Sequence, residues 1–299
     1  MAGRSAPQRV PAPEPQATRA RQVAAGLAAP DVPVRDAATV VLVRDRAGGP
    51  EVYLLTRHGR MAFAPGQAVF PGGAVDPRDS DAEVAWAGPP AADWGARLRC
   101  DEGTARGLVC AAVRETFEES GVLLAGAAAD TVVADTTGEA WEADRLALES
   151  RQVSLADLLR RRGLVLRSDL LGAWAHWITP RFETRRYDTR FFVAALPPGQ
   201  RTRDVSGESE AVAWMRPLDA LAAVQDGRLA MMPPTVRTCA EIAGLGRAAD
   251  ALPAAAARSL VTVEPRLVVE GDQVWLETDP ASDPDPDPDP DPASRQEPT

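Results

Sequence analysis

The segment Arg114-Glu115-Thr116-Phe117-Glu118-Glu119-Ser120-Gly121-Val122 constrains this chain more than any other. The apolar run Val109-Cys110-Ala111-Ala112-Val113 enters it without a turn residue. Thr104 to Ser120 therefore reads as one helix, stopped by Gly121, a residue able to take φ > 0. At 3.6 residues per turn, Glu115, Glu118 and Glu119 stand at i, i+3 and i+4 and crowd one face. Like charges so spaced cost a bare helix about 0.2–0.5 kcal/mol per pair. Taken alone, three acids are more often a solvated helix face than a site. A compensating cation is the alternative, and hard oxygen ligands favour Mg²⁺, Ca²⁺ or Mn²⁺.

The surroundings favour the second reading. Upstream lie Leu54-Leu55-Thr56-Arg57 and Gly66-Gln67-Ala68-Val69-Phe70-Pro71-Gly72-Gly73. An apolar strand ending in Pro-Gly-Gly, followed by a helix presenting Arg-Glu and Glu-Glu, resembles the Nudix box of the Nudix hydrolases. The family pattern runs Gly, five residues, Glu, seven residues, then Arg-Glu-apolar-x-Glu-Glu-x-Gly-apolar. Arg114, Glu115, Glu118, Glu119, Gly121 and Val122 match it; Thr116 occupies the apolar slot. Two departures are larger. Gly73 and Arg114 are separated by about 27 residues more than the pattern allows. That insert, about residues 76–104, has no long period and reads as a loop with one helical turn at most. The pattern's first Glu also has no evident counterpart. Counting back from Arg114 lands on Arg106, and the nearest acid is Glu102, at the helix entrance where the dipole favours it.

A split box resembles the branch of the family that cleaves coenzyme A and acyl-CoA, and the Leu54-to-Arg57 and Gly66-to-Gly73 elements are similar to one that this branch carries. The resemblance implies an α/β fold, a Nudix-type α/β/α sandwich with a mixed sheet, an inserted loop in the box and disordered termini. It implies an enzyme that hydrolyses a diphosphate linkage with Mg²⁺ or Mn²⁺, in coenzyme A or acyl-CoA, giving 3′,5′-ADP and a phosphopantetheine product. Two alternatives are a Nudix diphosphatase for another nucleoside diphosphate derivative and a Nudix module that senses a nucleotide without cleaving it. On the matching positions, Glu115, Glu118 and Glu119 are the expected metal ligands. Glu115 and Glu118 are also expected to act in catalysis. Arg114 orients a glutamate by charge-assisted hydrogen bonds. Gly72 and Gly73 let the main chain approach the site. Arg57 is the expected phosphate contact. A general base on a distant loop falls to Glu208, or to Glu210 beside it.

Composition bounds the rest. The chain has 299 residues, 45% hydrophobic and 25% charged, enough for one sizeable core. Its net charge of −10 argues against a nucleic-acid surface, and the partner that the resemblance implies is a small nucleotide-type substrate. The chain contains no lysine, so an arginine at any one position carries little information. Three cysteines without metal spacing argue against a disulfide framework, and Cys110 reads as a buried small hydrophobe. Without an apolar run of 18 residues or a leader pattern, neither a membrane span nor a signal peptide is expected, and a cytoplasmic location follows. The insert is a candidate for shaping the pocket or for a homodimer contact.

Three regions are expected: a disordered segment 1–33, a Nudix domain 34–278, and a disordered tail 279–299 built on an Asp-Pro repeat that denies helix and ladder alike. Within the domain, Ala38 to Val43, Val52 to Leu55, Gln67 to Phe70, Trp174 to Ile178, Tyr187 to Leu196 and Ala211 to Met215 read as strands. Ser154 and Pro217 open helices. Val261 to Glu277 reads as a hairpin. His176 is expected to be structural, and Trp177 to be buried rather than stacked on a base.

Overall fold

The computed structural model describes residues 8–12, 16–26, 32–59, 64–81, 83–205, 207, 209–271 and 273–278. The Asp-Pro repeat and Glu208 lie outside them. In chain order the elements are β1 (Gln8–Pro11), α1 (Gln16–Ala24), β2 (Val34–Arg46), β3 (Gly49–Arg57), β4 (Ala68–Val69), β5 (Gly72–Ala74), β6 (Trp86–Ala87), α2 (Ala91–Leu98), α3 (Glu102–Ser120), β7 (Ala125–Gly126) and α4 (Glu139–Glu149). There follow α5 (Leu155–Arg162), β8 (Val165–Arg167), β9 (Gly172–Ile178), β10 (Arg186–Ala195), β11 (Ser209–Met215), α6 (Pro217–Gln225), α7 (Pro233–Ile242), α8 (Ala251–Ala256), β12 (Thr262–Val263), β13 (Arg266–Glu270) and β14 (Gln273–Thr278).

The β-branched run of β2 makes it the spine of a mixed sheet ordered β11-β3-β2-β10-β9-β12. β2 runs parallel to β10 and antiparallel to β3, and its first half pairs with β5, which carries the two glycines. Because side chains alternate along a strand, β2 feeds two cores. Val40 and Leu42 join one with Leu108, Ala112 and Phe117 of α3. Val41 and Val43 join the other with Cys239 and Ile242 of α7 and Ala251 of α8. The sheet thus lies between two helical layers, as expected of the α/β/α class.

α3 begins at Asp101, whose carboxylate accepts from Thr104 N at 2.9 Å, and ends at Gly121 with φ 75°. The insert is more ordered than its composition indicated. Pro77–Ser80 forms a 3₁₀ turn capped by Asp76, and β6 joins β8 and β7 in a small second sheet. Ala91, Trp94, Gly95 and Leu98 recur at helical spacing and bury α2 against α3, with Trp94 edge-on to Phe192. The reading as a loop overlooked this because Gly88-Pro89-Pro90 and Gly95 read locally as breakers.

The composition of residues 1–33 also concealed structure. β1 adds to the edge of β14, forming a β1-β14-β13 sheet on which Ala17 and Ala20 of α1 pack. A strand whose partner lies some 265 residues away has no local sequence signature. Among the described residues, no helix is long and apolar enough to cross a membrane.

Candidate active site

The last turns of α3 are held by contacts from three directions. Arg114 is buried, and burial works against its charge, but Asp79 with Glu115 and Glu118 more than offsets that and keeps the guanidinium protonated. Its Nε and Nη2 donate to the Asp79 carboxylate at 2.9 and 2.8 Å, a two-pronged pair with an acid only 2% exposed. Nη2 also reaches Ala74 O at 3.0 Å. Nη1 donates to Glu115 at 2.7 Å and to Glu118 at 3.2 Å, so one arginine positions two of the three acids. Glu119 turns the other way and accepts from Gly72 N at 2.8 Å.

The glycines of β5 make this approach possible. A Cβ at Gly73 would lie 2.4 Å from Glu115 Oε1, and one at Gly72 would lie 2.5 Å from Ala38 O. Thr116, in the apolar slot, is fully buried because its hydroxyl donates to Ala112 O at 2.7 Å and leaves only a methyl to pack. Arg145 of α4, 2% exposed, donates to Glu118 O at 2.8 Å and pairs with Glu142 and Glu149. It satisfies a carbonyl that the helix end leaves open, with the charge sign the dipole favours.

Burial, followed by the neighbouring Glu115 charge, pushes the Glu118 carboxyl up to about 8 despite Arg114. Two acids therefore share a site with too little positive charge. Three carboxylates supply the hard oxygens that Mg²⁺ or Mn²⁺ takes, so the donor chemistry fits a divalent ion. In the geometry described, however, the acids are turned toward Arg114 and Gly72. Among the described residues, no three His, Cys, Asp or Glu side chains form a group placed to hold a metal.

The acids open onto a cleft of about 470 Å³. Its lining is two-sided in chemistry. α3, the stretch from Gly72 to Arg78 and the turn after α4 contribute charged groups, including Arg78 and Arg151. Asp76 lies between them, bonded to Arg78 at 2.9 and 3.0 Å; the Arg78 charge holds its carboxyl well below the usual range. Arg151 is a non-glycine residue at φ 60°, with its side chain largely exposed at the rim. β9, β10, α7 and the C-terminal hairpin contribute mainly apolar groups, among them Met232, Pro233 and Leu276.

The chain is similar in sequence and in fold to known proteins. The family model described as the NUDT19 Nudix domain matches residues 104–242. The chain is 28% identical over 249 residues to the acyl-coenzyme A diphosphatase NUDT19 of Gallus gallus, covering 67% of this chain and 65% of that protein. It is 25% identical over 218 residues to the same enzyme of Xenopus laevis, covering 62% and 57%. The crystal structure of a NUDIX hydrolase from Alicyclobacillus acidocaldarius superposes with a TM-score of 0.62 at 27% identity, over 75% of this chain and 97% of that one. In family model, curated relatives and fold, the chain is similar to the Nudix hydrolases. It spans somewhat under two thirds of the length of the curated relatives.

With the Nudix box in view, Asp79 falls six residues after Gly73, where the pattern places its first acid. Counting back from Arg114 overlooked it; counting forward from Gly73 finds it. Glu102 is exposed at the start of α3, and Asp79 is the acid that bonds Arg114. The insert therefore lies after this acid. Arg57, Gly72, Gly73, Arg114, Glu115, Glu118 and Glu119 all line the cleft. Glu210 does not: it accepts from Gly59 N at 2.9 Å and lies 3.2 Å from His58. His176 is buried between Asp188 at 2.5 Å and Thr262 at 2.8 Å. Cys110 is buried within α3, where burial pushes its thiol up to about 12. Trp177 and Phe182 are both buried. Arg145 was missed because nothing local separates it from the chain's many other arginines.

Proposed function

We propose that this chain hydrolyses the diphosphate linkage of coenzyme A or an acyl-CoA, with Mg²⁺ or Mn²⁺, to 3′,5′-ADP and a phosphopantetheine product. The observation that carries this reading is the buried Asp79–Arg114 pair, which positions Glu115 and Glu118 beside a cleft with both charged and apolar lining. The named activity of the chicken and frog relatives supports the substrate class. Glu115, Glu118 and Glu119 would hold the ion, which neutralises the diphosphate and lowers the pKa of water. Arg57, Arg78 and Arg151 line the same space and offer guanidinium groups to phosphate oxygens. Arg114 is turned inward to Asp79 and the glutamates, so its part is to fix carboxylates.

The test is a substrate panel of coenzyme A, acetyl-CoA, NADH, ADP-ribose, dinucleoside polyphosphates and nucleoside triphosphates, each with Mg²⁺ and with Mn²⁺. The expected result is metal-dependent release of 3′,5′-ADP from the coenzyme A substrates. Strong ADP-ribose cleavage with none of coenzyme A would overturn the substrate claim. Tight nucleotide binding without any metal-dependent turnover would overturn the enzymatic one.

A further inference from the structure

One group in the cleft lining has an acceptor without a donor. Glu183, in the loop between β9 and β10, is 8% exposed and lines the cleft. Its Oε2 accepts from Arg19 of α1. Its Oε1 is buried and, among the described residues, has no hydrogen-bond partner. A buried carboxylate oxygen in that state is costly, and a ligand N–H would remove the cost.

The rest of this lining narrows the ligand. Ile178, Met232, Pro233 and Leu276 are aliphatic or proline surfaces. Trp177 and Phe191 are 5% and 6% exposed, so the half-buried Tyr187 of β10 is the aromatic ring that this side of the cleft presents. A carboxylate repels phosphate, and the cationic groups Arg78 and Arg151 belong to other elements of the cleft. Arg185, on the Glu183 loop, lines the cleft as well and is exposed. A neutral chain with an N–H on an alkyl body suits the Glu183 acceptor and the aliphatic surfaces around it.

We propose that Glu183 is a specificity-determining residue, whose Oε1 accepts an amide N–H from the pantetheine arm of the substrate while the aliphatic lining packs its methylenes. The assignment rests on the coenzyme A reading and adds which end of the molecule lies against β9, β10 and α7.

The test compares wild type with Glu183→Leu and Arg19→Leu, with coenzyme A as substrate and 3′,5′-ADP as inhibitor. Glu183→Leu is expected to raise KM about tenfold while kcat stays within about twofold, the loss of one hydrogen bond to a charged acceptor. Arg19→Leu, which keeps the acceptor but frees it from the partner that holds it, is expected to raise KM less than Glu183→Leu does. Inhibition by 3′,5′-ADP should be the same in all three. An unchanged KM in Glu183→Leu, an equal rise in Arg19→Leu, or a selective loss of 3′,5′-ADP inhibition would each overturn the assignment.

A second measurement needs no variant. Phosphopantetheine is titrated into wild type beside two analogues, each with one amide N–H replaced by an ester oxygen. One analogue should bind about tenfold more weakly; equal binding of all three, or no binding of phosphopantetheine, would overturn the proposal. Wild type that fails to cleave coenzyme A would overturn the enzymatic reading instead, and the titration would still test the subsite.

Discussion

Asp79 is the residue on which the geometry of the box most depends. Asp79→Ala would leave the Arg114 guanidinium buried without its two-pronged partner. The expected loss is about 3–5 kcal/mol, the usual cost of removing one member of a buried pair. Thermal melts read that loss, and a melting curve matching wild type would contradict the role given to Asp79. Glu119 behaves differently. Glu119→Gln keeps an acceptor for Gly72 N and should melt close to wild type. It should nevertheless lose more than about 100-fold in turnover, beyond the 10–100-fold typical of losing an outer partner of a metal site. A fully active variant would remove Glu119 from the site. Glu118 makes the metal-free protein sensitive to pH. Its folded pKa is raised, from 4.5 to about 8, so the stability it contributes is fully present below 4.5 and is lost as pH rises through 8. In EDTA the melting temperature should fall across that window, Glu118→Gln should flatten the fall, and Mg²⁺ should restore more stability at pH 8 than at pH 5. Of these residues, the three glutamates and Arg114 could be read from spacing. Asp79 was hidden by an insert that disrupts counting from one side, and Arg145 by the number of arginines around it.

The elements divide by how local their causes are. β2, β3, β9, β10, β11 and α3 could be read from the sequence because alternation, a 3.6-residue period and Gly121 are features of consecutive residues. α2 was present in the pattern of Ala91, Trp94 and Leu98 but masked by glycine and proline. Its contribution can be measured: Trp94→Ala removes a side chain packed on Phe192 and should cost about 3–5 kcal/mol. A loss under about 1 kcal/mol would return the insert to the status of a surface loop. β1 could not have been read locally, because its hydrogen-bond partners belong to β14.

Across the whole molecule, the sheet and its two helical layers should be the most stable region. Among the described residues, the core of the β1-β14-β13 sheet is Ala17, Ala20 and Val274, with Ala12 and Leu267 packed against it. Native-state hydrogen exchange should therefore be slowest in α3, β2 and β10 and fastest in this small sheet. Uniform protection would show that the chain ends unfold together with the main sheet. This arrangement bears on the cleft, since Leu276 of β14 lines it and Arg19 of α1 holds Glu183.

The acidic face of α3, its glycine stop and the strands on either side of it follow from residues close in sequence, because each rests on a repeat or a turn preference that acts over a few positions. Which acid anchors Arg114, how the insert packs, and which side chains complete the cleft were decided by contacts between distant segments. Those contacts are set by burial and by the pairing of buried charge, and neither exists until the chain is folded.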